Sequence, residues 1–136
     1  MRNPLAPLGG TEMEVLRHVW ALGRATARDV YDRVREDRRV AYTTVMTVMK
    51  NLAEKGYLRY DQEGAAYVYT AARPPEEVRG SLVRGFVEKV FGGSAVDLVQ
   101  ALVQAEALTD ADRAELRQLI ERLGPAGPQD PDGDGG

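Results

Sequence analysis

Residues 41–59, AYTTVMTVMKNLAEKGYLR, decide the fold. On a helical wheel with Thr43 at zero, Val48, Leu52, Val45 and Met49 fall at roughly 140°, 180°, 200° and 240° and form one apolar face. Opposite them Lys50, Thr43, Thr47 and Asn51 fall at roughly 340°, 0°, 40° and 80°, a small polar stripe with no acid. Threonine can offer a hydroxyl to a base or phosphate and a methyl to thymine, while lysine reaches phosphate or guanine. Gly56 supplies a left-handed stop and strand-like sequence follows, so the stretch reads as a recognition helix leading into a wing. A solvated, threonine-rich helix face would look the same in isolation, and the neighbouring elements have to decide.

Upstream, Thr11 and Glu14 have the spacing of a capping box, followed by Met13, Leu16, Val19 and Trp20 at helical spacing as far as Gly23. Thr26 and Asp29 repeat that signature before Val30, Tyr31 and Val34, and a helix start at Thr26 offers backbone N–H groups suited to a phosphate. Downstream the period changes. Tyr57–Tyr60 and Ala65–Thr70 are rich in aromatic and branched residues and are separated by Asp-Gln-Glu-Gly, which reads as a hairpin. Arg59 on its first strand is placed to meet a phosphate, whereas Tyr57, Tyr60, Tyr67 and Tyr69 read better as sheet packing than as base-stacking platforms.

The expected fold is therefore mainly α with a small β-hairpin: a winged helix-turn-helix over residues 1–74, bounded by Pro74-Pro75. Residues 75–124 read as a helical dimerisation region. Val78, Leu82, Phe86 and Val90 recur every four residues, Val99 and Leu102 follow after a Gly92-Gly93 break with Ser94 as cap, and Leu116, Leu119, Ile120 and Leu123 follow a Thr109–Asp112 capping box. Three short helices this apolar lack polar cover, which points to a core shared by two chains. Residues 125–136, rich in Pro, Gly and Asp, read as a disordered acidic tail.

At 136 residues the chain has room for one ordinary core and none for a large catalytic cleft. The net charge of −3 divides unevenly: residues 1–75 carry 12 Lys and Arg against 9 Asp and Glu, and residues 76–136 carry 6 against 12. Basic charge thus accompanies the recognition helix, with an excess modest enough that phosphate affinity calls for a dimer. Without cysteine there is no disulfide or thiolate metal site, and no signal-like or membrane-spanning run is evident, so a cytoplasmic protein is expected.

His18 has no second histidine or cysteine to complete a metal set and reads as structural. Asp130, Asp132, Asp134 and Gly135 match the opening of a calcium loop, yet no closing glutamate follows. Glu12 with Glu14, Glu76 with Glu77 and Asp110 with Asp112 sit at expected helix starts, where acids favour the helix dipole. No nucleotide loop or nucleophile elbow occurs, and neither a catalytic residue, a cofactor nor a metal is expected.

TEMEVLRHVW, TARDVYDRV, AYTTVMTVMKNLAEKGYLRY and FVEKVFGGSAVDLVQAL, in that order, resemble the penicillinase-repressor family (BlaI/MecI/CopY) from about Leu8 to Leu123. The resemblance implies a homodimeric repressor in which each winged helix reads half of a dyad-symmetric DNA operator. It places base-contacting positions at Thr43, Thr44 and Met46. Met46 cannot make the charged contact that a basic residue would. The cysteine cluster of copper-responsive members is missing, which excludes copper sensing by that route. Members responsive to beta-lactams are inactivated by a protease at a bond corresponding to Ala101–Leu102, where this chain has different residues.

The leading reading is a promoter-occluding repressor whose partners are double-stranded operator DNA, a second copy of itself and an inducing protease, with no membrane. Two others stay open: a winged-helix protein-interaction module, and a ligand-gated regulator of the MarR type with an apolar pocket between domains.

Overall fold

A computed structural model describes residues 7–123. The proposed disordered tail and the calcium-like Asp130, Asp132 and Asp134 lie outside the described residues. The elements run α1 (Gly10–Leu22), β1 (Arg24–Ala25), α2 (Ala27–Val34), α3 (Tyr42–Glu54), β2 (Leu58–Glu63), β3 (Ala66–Ala71), α4 (Pro75–Phe91), α5 (Ala95–Gln104) and α6 (Asp110–Leu123). This is a mainly helical winged helix-turn-helix followed by further helices, as the sequence led us to expect. The chain divides into two compact units within α4, after Phe86.

In the first unit, Val15, Leu16 and Val19 of α1, Val30 and Val34 of α2, and Val45, Met49 and Leu52 of α3 enclose one core with Tyr57, Leu58 and Tyr69. Threonine and valine are mediocre helix formers, so α3 owes its helicity to this burial. Each of its three buried side chains contributes roughly 1.5–3 kcal/mol. Its end is a Schellman motif: Tyr57 N–H donates to the Leu52 carbonyl at 2.9 Å, Gly56 N–H to Ala53 at 3.1 Å, and Gly56 takes φ 89°.

Three local expectations need correction. Helix α1 starts at Gly10, with Gly9 N–H donating to the Glu12 carboxylate at 2.9 Å, rather than at a Thr11–Glu14 box. Both of those side chains instead accept from Arg38, Glu14 at 2.8 Å and Thr11 at 3.3 Å. The first hairpin strand is longer than expected, because Asp61, Gln62 and Glu63 continue β2 and leave a two-residue Gly64-Ala65 turn with Gly64 at φ 63°. A third strand, β1, pairs antiparallel with β3, giving the order β1-β3-β2.

The first turns of α4 belong to this same core. Val78 is fully buried in it, Leu82 packs against it, and the Arg79 guanidinium lies over the Trp20 ring at 4.8 Å. Grouping Val78 with an intermolecular face misreads it, since a side chain already enclosed by its own chain has no surface to offer. A four-residue repeat marks the apolar side of a helix without saying which molecule covers it.

In the second unit, Ser94 caps α5 by accepting from Asp97 N–H at 3.0 Å, and Thr109 and Asp112 form the expected capping box at 3.0 Å in each direction. Neither α5 nor α6 contains a buried residue. Glu106, between them, takes φ 55° at a second Schellman stop, with Ala107 N–H on the Leu102 carbonyl at 3.0 Å and Glu106 N–H on Val103 at 3.0 Å. No helix among the described residues is long and apolar enough to cross a membrane.

Candidate nucleic-acid interface

The polar stripe of α3 is exposed along its length: Thr43, Thr44, Thr47, Lys50 and Asn51 all face solvent, while Val45, Met49 and Leu52 hold the opposite side in the core. Met46, 46% exposed, continues the stripe toward the wing. There a groove of about 560 Å³ opens, lined from the helical side by Thr26, Tyr42, Met46 and Lys50 and from the sheet by Tyr60, Tyr67 and Tyr69.

Strand parity explains which wing residues reach the groove. In an antiparallel pair, partners share a face and successive residues alternate. Tyr60 pairs with Tyr69 and Gln62 with Tyr67, so these four share the inner face. Arg59 pairs with Thr70 and Asp61 with Val68, which puts them on the outer face. Arg59 is therefore exposed, but on the side of the sheet away from the groove that Lys50 lines. The Tyr60 and Tyr67 rings lie 4.8 Å apart, Tyr60 and Tyr69 5.5 Å apart. Burial raises the Tyr69 phenol above its ordinary range, so it keeps its proton.

Thr26 is committed locally. Its hydroxyl accepts from Asp29 N–H at 3.1 Å and its own N–H donates to the Asp29 carboxylate at 3.0 Å, so two of the N–H groups at the start of α2 are already used. Much of the basic charge counted from the sequence is spent within the fold. Arg38 holds Glu14, Lys55 holds Glu12 at 2.8 Å, Arg24 pairs with Glu63 and Arg28 with Asp32 at 3.4 Å. Arg28 of α2 and Arg35, just past its end, lie over the Tyr31 ring at 5.6 and 5.5 Å, and Tyr31 meets Tyr42 edge to face at 5.5 Å. His18 accepts from Arg33 Nε at 3.2 Å, and partial burial lowers its pKa, as suits a structural neutral imidazole.

The penicillinase-repressor family model matches residues 8–122, spanning α1 through all but the last residue of α6. The chain belongs to the penicillinase-repressor family. Members of this family are transcriptional regulators and not enzymes. The transcriptional regulator BlaI of Mycobacterium tuberculosis is 33% identical over 88% of this chain and 76% of its own length. An uncharacterised 16.5 kDa protein of Latilactobacillus sakei is 29% identical over 88% and 82%. The methicillin resistance regulatory protein MecI of Mammaliicoccus sciuri is 22% identical over 90% and 99%. Among solved structures, the DNA-binding domain of the repressor BlaI aligns with 56% of this chain and 93% of that one, at 21% identity and a TM-score of 0.49.

The exposed side of α3 with Thr43, Thr47, Lys50 and Asn51 was legible from its helical period. The tyrosine wall was not, because the facing of each tyrosine depends on the strand register. Once Leu58 is known to point into the core, the parity of Tyr60 follows.

Proposed function

We propose that this family member is a homodimeric repressor that occludes a promoter by binding a dyad-symmetric operator. The exposed, acid-free stripe of Thr43, Thr44, Met46, Thr47 and Lys50 on α3 carries the reading, since its hydroxyls, methyls and single ammonium suit a major groove. Residues 1–74 supply the reading head. Recognition rests on hydroxyl, methyl and shape contacts, with phosphate contacts supplying most of the affinity.

The helices within residues 75–124 supply dimerisation. Support comes from α5 and α6, where Val99, Leu102, Leu116, Leu119, Ile120 and Leu123 remain at least partly exposed. Val99, Leu116 and Ile120 line one open groove, Leu102, Leu116 and Leu119 another. Phe86 and Val90 of α4 are also exposed. A second copy would enclose such a surface and set two α3 helices about one DNA turn apart. Relief by proteolysis would require cutting within α5, where Ala101 and Leu102 stand in the hydrogen-bonded helix. Cutting there would leave weakly binding monomers.

The test is retention of fragmented genomic DNA from the source organism on the immobilised protein, followed by sequencing. Recovery of a few fragments sharing an inverted repeat is expected. If no duplex is retained even at low salt, the repressor reading fails and the α3 face is left to meet protein.

A further inference from the structure

The wing carries little that would ordinarily hold DNA. Its tip strand bears Asp61 and Glu63 on the outer face, Glu63 is paired with Arg24, and Arg59 shares that outer face. The inner face is different. Tyr60 and Tyr67 are each 49% exposed although their tilted rings lie 4.8 Å apart, and Tyr69 lies beneath at 6%. A sheet whose tyrosines served packing alone would bury them. These two instead form one wall of a groove whose other wall is Met46 and Lys50 of the recognition helix.

We infer that this groove seats one sugar–phosphate strand of the duplex, with the Tyr60 and Tyr67 hydroxyls donating to phosphate oxygens and Lys50 supplying the charge. The inference rests on the DNA-binding reading above and adds the residues by which the wing takes part. Charge complementarity selects the occupant: among the described residues Lys50 is the one charged residue lining the groove, and no carboxylate accompanies it. The apolar lining of Met46, Ala27, Ala65 and Ala66 suits deoxyribose carbons. Continuity adds to this, because Lys50 and Met46 also belong to the stripe offered to base edges, so a strand bordering that major groove must pass the tyrosine wall.

Tyrosine makes this contact without charge, which gives it a distinctive signature. Hydrogen bonds to phosphate contribute to affinity but release no counterion, so they leave the salt dependence unchanged. The experiment compares the full-length protein with Tyr60→Phe, Tyr67→Phe and Lys50→Gln on two duplexes, one retained from genomic DNA and one of random sequence, across a salt series. Thermal unfolding checks that each variant is folded. Each phenylalanine variant should bind about tenfold more weakly on both duplexes with an unaltered salt slope. Lys50→Gln should reduce the slope by about one. Wild-type affinity in both folded tyrosine variants overturns the inference while leaving the repressor reading intact. Loss on the retained duplex alone would mean that the tyrosines touch bases, which also overturns it. If the wild-type protein binds neither duplex, the inference and the reading fall together.

Discussion

Lys55, at the end of α3, donates to both carboxylate oxygens of Glu12 in the first turn of α1, at 2.9 and 2.8 Å across 43 positions of sequence. The same carboxylate accepts from Gly9 N–H, so one side chain caps α1 and anchors the far end of the recognition helix. The Glu12 side chain is only 17% exposed, which limits screening by solvent. Lys55→Met should cost about 0.5–1 kcal/mol and Glu12→Ala about 1–2 kcal/mol, because the latter also loses the cap. Urea unfolding of both and of the double variant measures the coupling. Strict additivity would show that the pair contributes nothing.

Acid should weaken the fold in two stages. The Glu12 pKa is lowered first by its hydrogen bond from Lys55 and then by that from Gly9, and the Glu14 pKa by its hydrogen bond from Arg38. The His18 pKa is lowered by burial and then by Arg33. In all three cases the unfolded chain binds the proton more readily, so stability rises with pH. The histidine contribution is complete above its ordinary 6.5 and is lost as pH falls below it; the carboxylate contributions are complete above 4.5 and are lost below that. Urea midpoints across this range should show both steps, and His18→Gln should remove the upper one.

Two helix stops of the same type carry opposite residues. Gly56 at φ 89° has open space where a Cβ would sit, so Gly56→Ala costs backbone strain alone, about 1 kcal/mol. Glu106 at φ 55° already carries that strain. Glu106→Gly should stabilise by up to about 1 kcal/mol, reduced by the extra freedom of the unfolded chain. Denaturant melts that moved both variants in the same direction would contradict the shared geometry.

The open face of α5 and α6 should set the oligomeric state. Ile120 is 65% exposed and lines the same groove as Val99. Ile120→Asp should convert a dimer into monomers in sedimentation equilibrium while leaving the far-UV spectrum nearly unchanged, because most of the side chain already faces solvent in its own chain. A wild-type protein that sediments as a monomer at tens of micromolar would remove the dimer.

Local chemistry made much of the fold legible. Thr26 with Asp29, Ser94, and Thr109 with Asp112 are reciprocal or single caps whose partners lie three residues away, and Gly56 is a stop that few other residues tolerate. What stayed hidden depends on distant partners. Thr11 and Glu14 have capping spacing but answer to Arg38, more than 20 positions away. Strand β1 is two residues long and exists only because β3 offers it an edge. Of the groove, Lys50 followed from helical period and Met46 from the family resemblance, whereas Tyr60 and Tyr67 needed a register that no local pattern encodes.

Because Val78 completes the first core and Arg79 covers the indole of Trp20, the Pro74-Pro75 break is a poor place to cut the chain. A fragment ended there would leave a hole in that core and uncover the ring of the sole tryptophan. The usable truncation lies beyond Leu82. By the same token, Trp20 emission is a ready optical gauge of whether the root of α4 stays seated, and it needs no added label.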